Sequence, residues 1–240
     1  MSQYFSNFPT IKYDLFFDKQ KTDVVDIFRV VKVKRKFRDD ITFYTFYEIQ
    51  DGERPDVIST KLYGTPDYYW TFFMINDHLV NVSYDWPLST PELHQKIDMK
   101  YTGTVLTTNE NISTKFIKNN TIQGLISGAR AKVLDKDPNN GLIRIEPISR
   151  TFVPNEIVRD IATNEFVTIT GQVEWKYAPH HYENVNGDYV LKNSVGATPV
   201  SNEEYELAEH EKRTKIKIIR PQYIQAISDQ FIEQIKTEEL

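Results

Sequence analysis

The sequence predicts an α+β fold in which a strand–helix–helix–strand (βααβ) module, an all-β segment and a C-terminal helix–strand–helix segment follow one another. Residues 42–86 pass from a β-branched and aromatic run into two helical stretches that each begin with proline. Residues 103–175 alternate short β-branched runs with turn residues, which predicts a small β-barrel or sandwich, inserted or appended. Residues 201–240 place an alternating run between two helical patterns.

The βααβ module begins with a strand over residues 42–49, followed by a turn at Asp51-Gly52. Pro55 suits the first position of a helix, and Gly64 suits its C-cap. This stretch is therefore predicted to be a strand, a turn and one helix.

A second helix follows, with Thr65 as its cap. It is apolar on nearly every side through residue 75, so we expect burial against its own domain and also against a partner. Residues 79–84 are predicted to return as a short strand, and residues 87–98 to form a helix.

The segments before the module have less regular patterns. Residues 1–22 mix aromatic and polar residues without a period, which suggests an extended arm lying on a partner or on its own domain. Residues 27–37 alternate as a strand. Their basic cluster at residues 32–38 either contacts an acidic partner or forms a solvated face.

In the second half of the chain, residues 137–141 give a strong hairpin signal. Residues 176–200 are predicted to be a loop with a hairpin at Asn186-Gly187. Ser201 and Glu204 form a capping box that opens a charged helix, and residues 214–219 alternate as a strand. Pro221 then begins a final helix with one apolar stripe: Ile224, Ile227, Phe231 and Ile235.

Composition excludes several classes of function. The net charge of −5 argues against nucleic-acid binding, and the absence of cysteine excludes disulfides and thiolate chemistry. No apolar run approaches the roughly 20 residues of a membrane span, and we expect no signal peptide because the N-terminus lacks a basic segment before an apolar run.

Motifs for catalysis or metal binding are absent from the sequence. No His-Glu-x-x-His pair, nucleophile elbow or phosphate loop is present. His180-His181 is predicted to be an exposed loop pair, and Asp135 and Asp137 to be turn residues rather than calcium ligands. We therefore expect no enzyme activity, no metal and no cofactor.

Residues 44–82 resemble a LysM module through the strand ending Tyr47-Glu48-Ile49, the helix ending Leu62-Tyr63-Gly64 and the later Tyr69-Trp70. LysM modules bind N-acetylglucosamine polymers through two loops. The resemblance therefore implies, as an alternative function, a peptidoglycan-binding module of a tail or cell-wall protein. The corresponding residues here are Gly52, Glu53, Arg54, Asn76, Asp77 and His78.

A second resemblance covers residues 20–98 and 202–236. It consists of the run TDVVDIFR at residues 22–29, Tyr63-Gly64-x-Pro66-x-x-Tyr69-Trp70, Asn76-Asp77, Glu204-Tyr205-Glu206, and Arg213-x-Lys215-Ile216-Lys217-Ile218-Ile219 before a final helix. In this order the motifs resemble the baseplate wedge protein 53 family of contractile-tailed bacteriophages. Residues 124–133 and 152–156 are similar to small β-barrels of other phage tail proteins.

The wedge-family resemblance implies a structural subunit that clamps neighbouring wedges around the tail tube. Its implied partners are the wedge core bundle, the sheath-initiating protein and adjacent wedges, without nucleic acid or membrane. The implied location is the tail baseplate of the virion, after assembly in the host cytoplasm.

Together with this resemblance, the patterns give a domain division and a set of candidate interface residues. The expected domains are an arm at 1–22, a LysM-like wedge domain at 23–100, an inserted barrel at 101–176 and a completing segment at 177–240. The candidate interface residues are Phe5, Phe8, Tyr13, Tyr68, Tyr69, Phe72, Phe73, Ile224 and Phe231.

Overall fold

A computed structural model gives the fold of residues 8–15, 17, 19–26, 40–81 and 84–237. The strand predicted at residues 27–37, its basic cluster and the candidate interface residue Phe5 lie outside these described residues. The chain forms two compact units. The terminal unit comprises residues 1–90 and 210–240, and the central unit comprises residues 91–209.

The described part of the terminal unit contains a hairpin, a two-stranded sheet and three α-helices. Its elements are β1 Thr10–Tyr13, β2 Thr22–Val25, β3 Tyr44–Glu48, α1 Pro55–Tyr63, α2 Trp70–Ile75, β13 Lys215–Ile219 and α5 Pro221–Thr237. β1 pairs with β2, and β3 pairs with β13; both pairs are antiparallel. Phe8, just before β1, is buried, so this part of the N-terminal segment packs on its own chain.

The strand predicted at residues 79–84 is absent from its described residues, 79–81 and 84. β13, far away in sequence, occupies the place beside β3 instead. The chain after α2 turns at Asn76, whose backbone oxygen accepts a hydrogen bond from Leu79 N–H, and Leu79 is then fully buried. Leu79 packs in a cluster with Ile58 and Phe72, and residues 79–81 form no strand.

Helix boundaries around α1 and α2 follow the local signals. Gly64 ends α1 with a positive φ of 76°, a conformation that glycine adopts without steric cost. The predicted second helix is divided into a 3-10 turn at Pro66–Tyr68 and the short α2. Thr65 Oγ1 accepts a hydrogen bond from Asp67 N–H, as expected of a cap.

The central unit is built around a closed six-stranded barrel with the order β4-β7-β6-β5-β8-β9. Its strands are β4 Thr104–Thr108, β5 Thr121–Gly124, β6 Arg130–Asp137, β7 Leu142–Ser149, β8 Ile157–Asp160 and β9 Phe166–Glu174. Inward side chains such as Leu106, Ile143 and Ile169 form one buried core. The predicted small barrel is therefore confirmed, and closure removes the free sheet edges.

The rest of the central unit comprises two helices and a second sheet. The elements are α3 Thr90–Lys100, which begins at the unit boundary, β10 Pro179–Glu183, β11 Tyr189–Val190, β12 Thr198–Ser201, and α4 Asn202–Thr214, which continues past it. β10 pairs with both β11 and β12. The predicted hairpin near Asn186 is present between β10 and β11, and parts of the surrounding stretch predicted to be loop are strands. The capping box is formed, because Glu204 accepts from Ser201 N–H and Ser201 Oγ accepts from Glu204 N–H.

Within the described residues, no helix is both long and apolar enough to cross a bilayer.

Candidate functional site

The aromatic helix α2 packs against the C-terminal helix α5. The ring of Trp70 stacks on that of Phe231, with centroids 4.6 Å apart and planes 27° from parallel. Phe8 and Ile235 are buried in the same cluster. This cluster joins residues from both ends of the sequence, so the terminal unit depends on both.

Polar groups fix the turn that leads into α2. Ser59 Oγ donates to the Thr65 carbonyl at 2.7 Å and accepts from Tyr68 N–H at 3.2 Å. Tyr63 Oη donates to the Ile219 carbonyl at 2.8 Å, at the end of β13. Burial raises the pKa of Tyr63, which keeps its hydroxyl protonated and able to donate.

The candidate interface residues separate into covered and accessible groups. Phe8, Phe72, Ile224 and Phe231 are buried by their own chain in the isolated subunit. Tyr13 is half exposed, while Tyr68, Tyr69 and Phe73 are partly buried. Among the described members of this set, the accessible surface is therefore carried by the tyrosines and Phe73.

A cavity of about 210 Å³ lies between the α2 region and α5. Tyr68, Trp70 and Phe231 supply its aromatic wall, while Asp67 and Asp229 supply acidic groups. Tyr68 Oη donates a hydrogen bond to Gln225 Oε1 across this opening. The cavity thus combines apolar surface with anionic groups.

The first predicted glycan loop is occupied by internal contacts. Glu53 accepts hydrogen bonds from Tyr47 Oη at 2.9 Å and from Gln50 N–H at 3.2 Å. Arg54 pairs with Asp56 at 3.1 Å. Gly52 has a φ of 68° in the turn, so its position reflects backbone geometry.

In the second predicted glycan loop, the Asn76 side chain links α2 to β13 by hydrogen bonds. The Asn76 side chain donates to the carbonyls of Phe72 and Lys217 at 2.7 and 2.8 Å, and accepts from Lys217 N–H at 2.8 Å. Asn76 is buried, whereas Asp77 and His78 are exposed. The amide of Asn76 is therefore committed to holding β13 and is not available to a saccharide.

Trp86 contacts both Glu53 in the first predicted glycan loop and Phe73 of α2, and no sequence pattern predicted these contacts. Its indole N–H donates to the Glu53 carbonyl at 2.9 Å, and its ring lies 5.5 Å from that of Phe73. A tryptophan outside any regular element has no periodicity that would mark its partner.

In the central unit, a buried carboxylate closes a turn. Glu156 accepts from the backbone N–H groups of Ile126 and Ser127 through Oε2, and from Val153 N–H through Oε1. Burial alone would raise the pKa of Glu156, but these bonds together with the Ser127 hydroxyl hold it below its ordinary value. A Cβ at Gly124 would lie 2.4 Å from Glu156 Oε2, so a larger residue there would displace the carboxylate from these hydrogen bonds.

The histidine pair does not form an exposed loop, which corrects the prediction. His180 and His181 lie in β10, with their Nδ1 atoms 2.8 Å apart, and His180 stacks on Tyr205 at 3.8 Å. Burial lowers the pKa of His180, and the neighbouring His181 lowers it further by a smaller amount. β10 pairs with β11 and β12, so the two histidines belong to a sheet.

The predicted turn residue Asp137 caps the β6–β7 hairpin by accepting from Asn139 N–H and Asn140 N–H. In the part of the chain that the structure describes, no group of three or more histidine, aspartate or glutamate side chains is arranged to hold a metal ion.

Comparison with protein families gives one finding. The family model described as base plate wedge protein 53 matches residues 4–122. No curated protein matches the chain.

Proposed function

Because the chain belongs to the base plate wedge protein 53 family, we propose that it is a structural subunit that clamps neighbouring wedges of a phage tail baseplate around the tail tube. The family match carries this proposal, since that family is a structural one of the phage baseplate. The matched residues include β1 to α3 and the aromatic α2.

Exposed apolar side chains on the terminal unit support a role in assembly. Phe17 is 86 % exposed, Val80 84 % and Tyr84 72 %. Large apolar side chains at the surface are unfavourable in water and are enriched at protein interfaces. Contacts with neighbouring subunits would cover them in the particle.

The clamp would use the accessible members of the interface set, Tyr13, Tyr68, Tyr69 and Phe73, with Phe5 as a further candidate. The buried members would support this surface by packing in the core beneath it. They are Phe8, Phe72, Ile224 and Phe231. The wedge core bundle, the sheath-initiating protein and adjacent wedges are the proposed neighbours, and the virion tail is the proposed location.

The terminal unit would act as a LysM-like fold reused for protein contacts. In support, α1 and α2 lie in sequence between β3 and β13, which pair antiparallel. The internal hydrogen bonds of Glu53 and Asn76 favour protein contacts over glycan binding.

Cryo-EM of particles that copurify with the chain tests this function. We expect density for the chain between neighbouring wedges in a sixfold ring, with Tyr68, Tyr69 and Phe73 covered by another subunit. A peripheral position with Gly52–Arg54 and Asp77–His78 open to solvent would contradict the clamp and favour glycan binding.

A further inference from the structure

A cleft of about 380 Å³ lies on the outer face of the barrel in the central unit. Leu142 and Arg144 of β7 contribute to its floor, and Tyr101, Trp175 and His180 contribute to its walls. Alternation along β7 explains the floor, because Ile143 and Ile145 point into the barrel core while Leu142 and Arg144 point outward.

Arg144 is positioned in this cleft by aromatic rings. Its guanidinium carbon lies 4.5 Å from the centroid of the Trp175 ring, and Trp175 meets Tyr101 edge-to-face at 5.4 Å. A guanidinium stacked on an indole keeps its in-plane N–H groups free to donate. The side chain is therefore held in place without using its hydrogen-bonding edge.

The hydrogen-bonding capacity of Arg144 is unfilled. Its Nε is buried and has no hydrogen-bond partner, and the side chain makes no ion pair within the residues that the structure describes. Asp135 lies opposite Arg144 in the β6–β7 register but is exposed and forms no ion pair with it. Nε is enclosed by the protein, so an incoming acceptor would meet the terminal Nη groups, which form no hydrogen bond with the described residues.

Other charged groups in the cleft already have partners. Lys136 Nζ donates to the carbonyls of Ile112 and Ser113 at 3.0 and 2.9 Å, and also to that of Lys115. Asp137 is occupied by the hairpin turn. Arg144 is consequently the cation of this cleft that is ready to bind an anion.

We propose that this cleft docks an acidic side chain, aspartate or glutamate, of a neighbouring protein subunit. The carboxylate would accept from the Arg144 guanidinium in the bidentate geometry that arginine favours, and its methylene groups would lie against Tyr101, Trp175 and Leu142. The choice of a protein partner, rather than a free carboxylate, rests on the proposed assembly function. The inference adds a specific contact at the barrel, and its central residue, Arg144, lies outside the family-matched residues.

A peptide titration tests the cleft directly. The full chain is titrated with acetyl-Leu-Glu-Leu-amide and with the matched Gln peptide while the indole N–H resonances of the three tryptophans are followed by NMR. We expect the Glu peptide alone to shift the Trp175 resonance in a saturable way. Absence of that shift, or an equal shift with the Gln peptide, overturns the inference.

Arg159 offers a matched control, because its Nε is also buried without a partner but the residue does not line this cleft. Arg144→Gln should abolish the Glu-peptide shift, and Arg159→Gln should retain it. Arg144→Lys keeps the positive charge but lacks the planar guanidinium that binds a carboxylate through two hydrogen bonds. We therefore expect it to bind the Glu peptide at least tenfold more weakly. Saturation by free glutarate as readily as by the peptide would indicate a small-molecule site and overturn subunit docking.

Particle assembly separates failure of this inference from failure of the proposed function. Arg144→Gln should be lost from particles at lower salt than wild type or Arg159→Gln. If wild type and both variants resist salt equally, the docking contact is refuted while the structural role stands. If wild type is absent from particles, the structural role fails, and the peptide titration still decides whether the cleft binds a carboxylate.

Discussion

Single polar side chains hold distant backbone segments together in both units. Asn76 bridges α2 and β13 through three hydrogen bonds. Glu156 accepts hydrogen bonds from the backbone N–H groups of Ile126, Ser127 and Val153. Because such groups are buried, removal of one leaves its partners without bonds, and the cost exceeds that of a surface change.

For Glu156→Gln we expect the free energy of unfolding of the central unit to fall by about 1.5–3 kcal/mol, the range for hydrogen bonds to a charged group. The neutral amide accepts more weakly and places an N–H₂ group among donors. Urea unfolding followed by circular dichroism measures the change. Glu146→Gln, on the exposed part of β7, is the control and should change little.

The same carboxylate gives a pH dependence. Its pKa is lower in the folded state than in the unfolded state, so its stabilisation is present above the unfolded-state pKa and is lost as the pH falls through the folded-state pKa. The stability difference between wild type and Glu156→Gln should therefore be largest near neutral pH and shrink on acidification. A difference that stays constant down to acidic pH would contradict this assignment.

Asn76→Ala should destabilise the terminal unit by about 1–3 kcal/mol, because the Lys217 N–H and the carbonyls of Phe72 and Lys217 lose a partner. His78→Ala, two residues further on and exposed, is the control. Equal stability of the two variants in chemical unfolding would show that Asn76 does not fasten β13.

At the scale of elements, α2 and α5 stabilise each other through stacked rings. α2 has only six residues, and short helices are marginal without tertiary packing. The Trp70–Phe231 stack and the buried Ile235 supply that packing. Similarly, β3 obtains its partner from β13 rather than from the nearby chain.

Trp70→Ala should cost about 3–5 kcal/mol of stability, since it leaves a cavity against Phe231. Tyr84→Ala removes an aromatic ring that is 72 % exposed and should change stability by less than about 0.5 kcal/mol. Thermal and urea unfolding of the two variants provide the measurement. An unchanged melting temperature for Trp70→Ala would refute the importance of this stack.

At the scale of the whole molecule, the central unit is one continuous stretch of sequence, and it lies between the two segments that form the terminal unit. Residues 91–209 form the central unit with its own barrel core, whereas the terminal unit combines residues 1–90 with 210–240. Ile216 and Ile218 of β13 share a buried cluster with Ile58 and Phe72. The terminal unit therefore requires chain segments separated by more than a hundred residues.

The fragment 90–214 should fold alone, because it contains the complete barrel core and whole α3 and α4. The fragment 1–90 should remain unfolded, because it lacks β13 and α5. Circular dichroism and cooperative urea unfolding of the two fragments measure this difference. Cooperative unfolding of 1–90 alone would show that β13 and α5 are dispensable for its core.

Several features could be predicted from local sequence because their causes are local. Pro55 and Gly64 determine α1, the turn at residues 137–141 joins β6 and β7, and the stripe ending at Ile235 predicts α5. The family resemblance was also visible in the order of short motifs, and the match over residues 4–122 confirms it.

The sequence alone thus determined the class of most elements and the family, since helix caps, turn residues and side-chain periodicity act within a few residues. Only the tertiary structure decided that β13 pairs with β3, that Asn76 fastens this pairing and that Arg144 faces a cleft without a partner. These features depend on contacts between residues far apart in the chain. Local patterns do not indicate which distant segment pairs with β3. Nor do they indicate that Nε of the Arg144 side chain has no hydrogen-bond acceptor among the described residues.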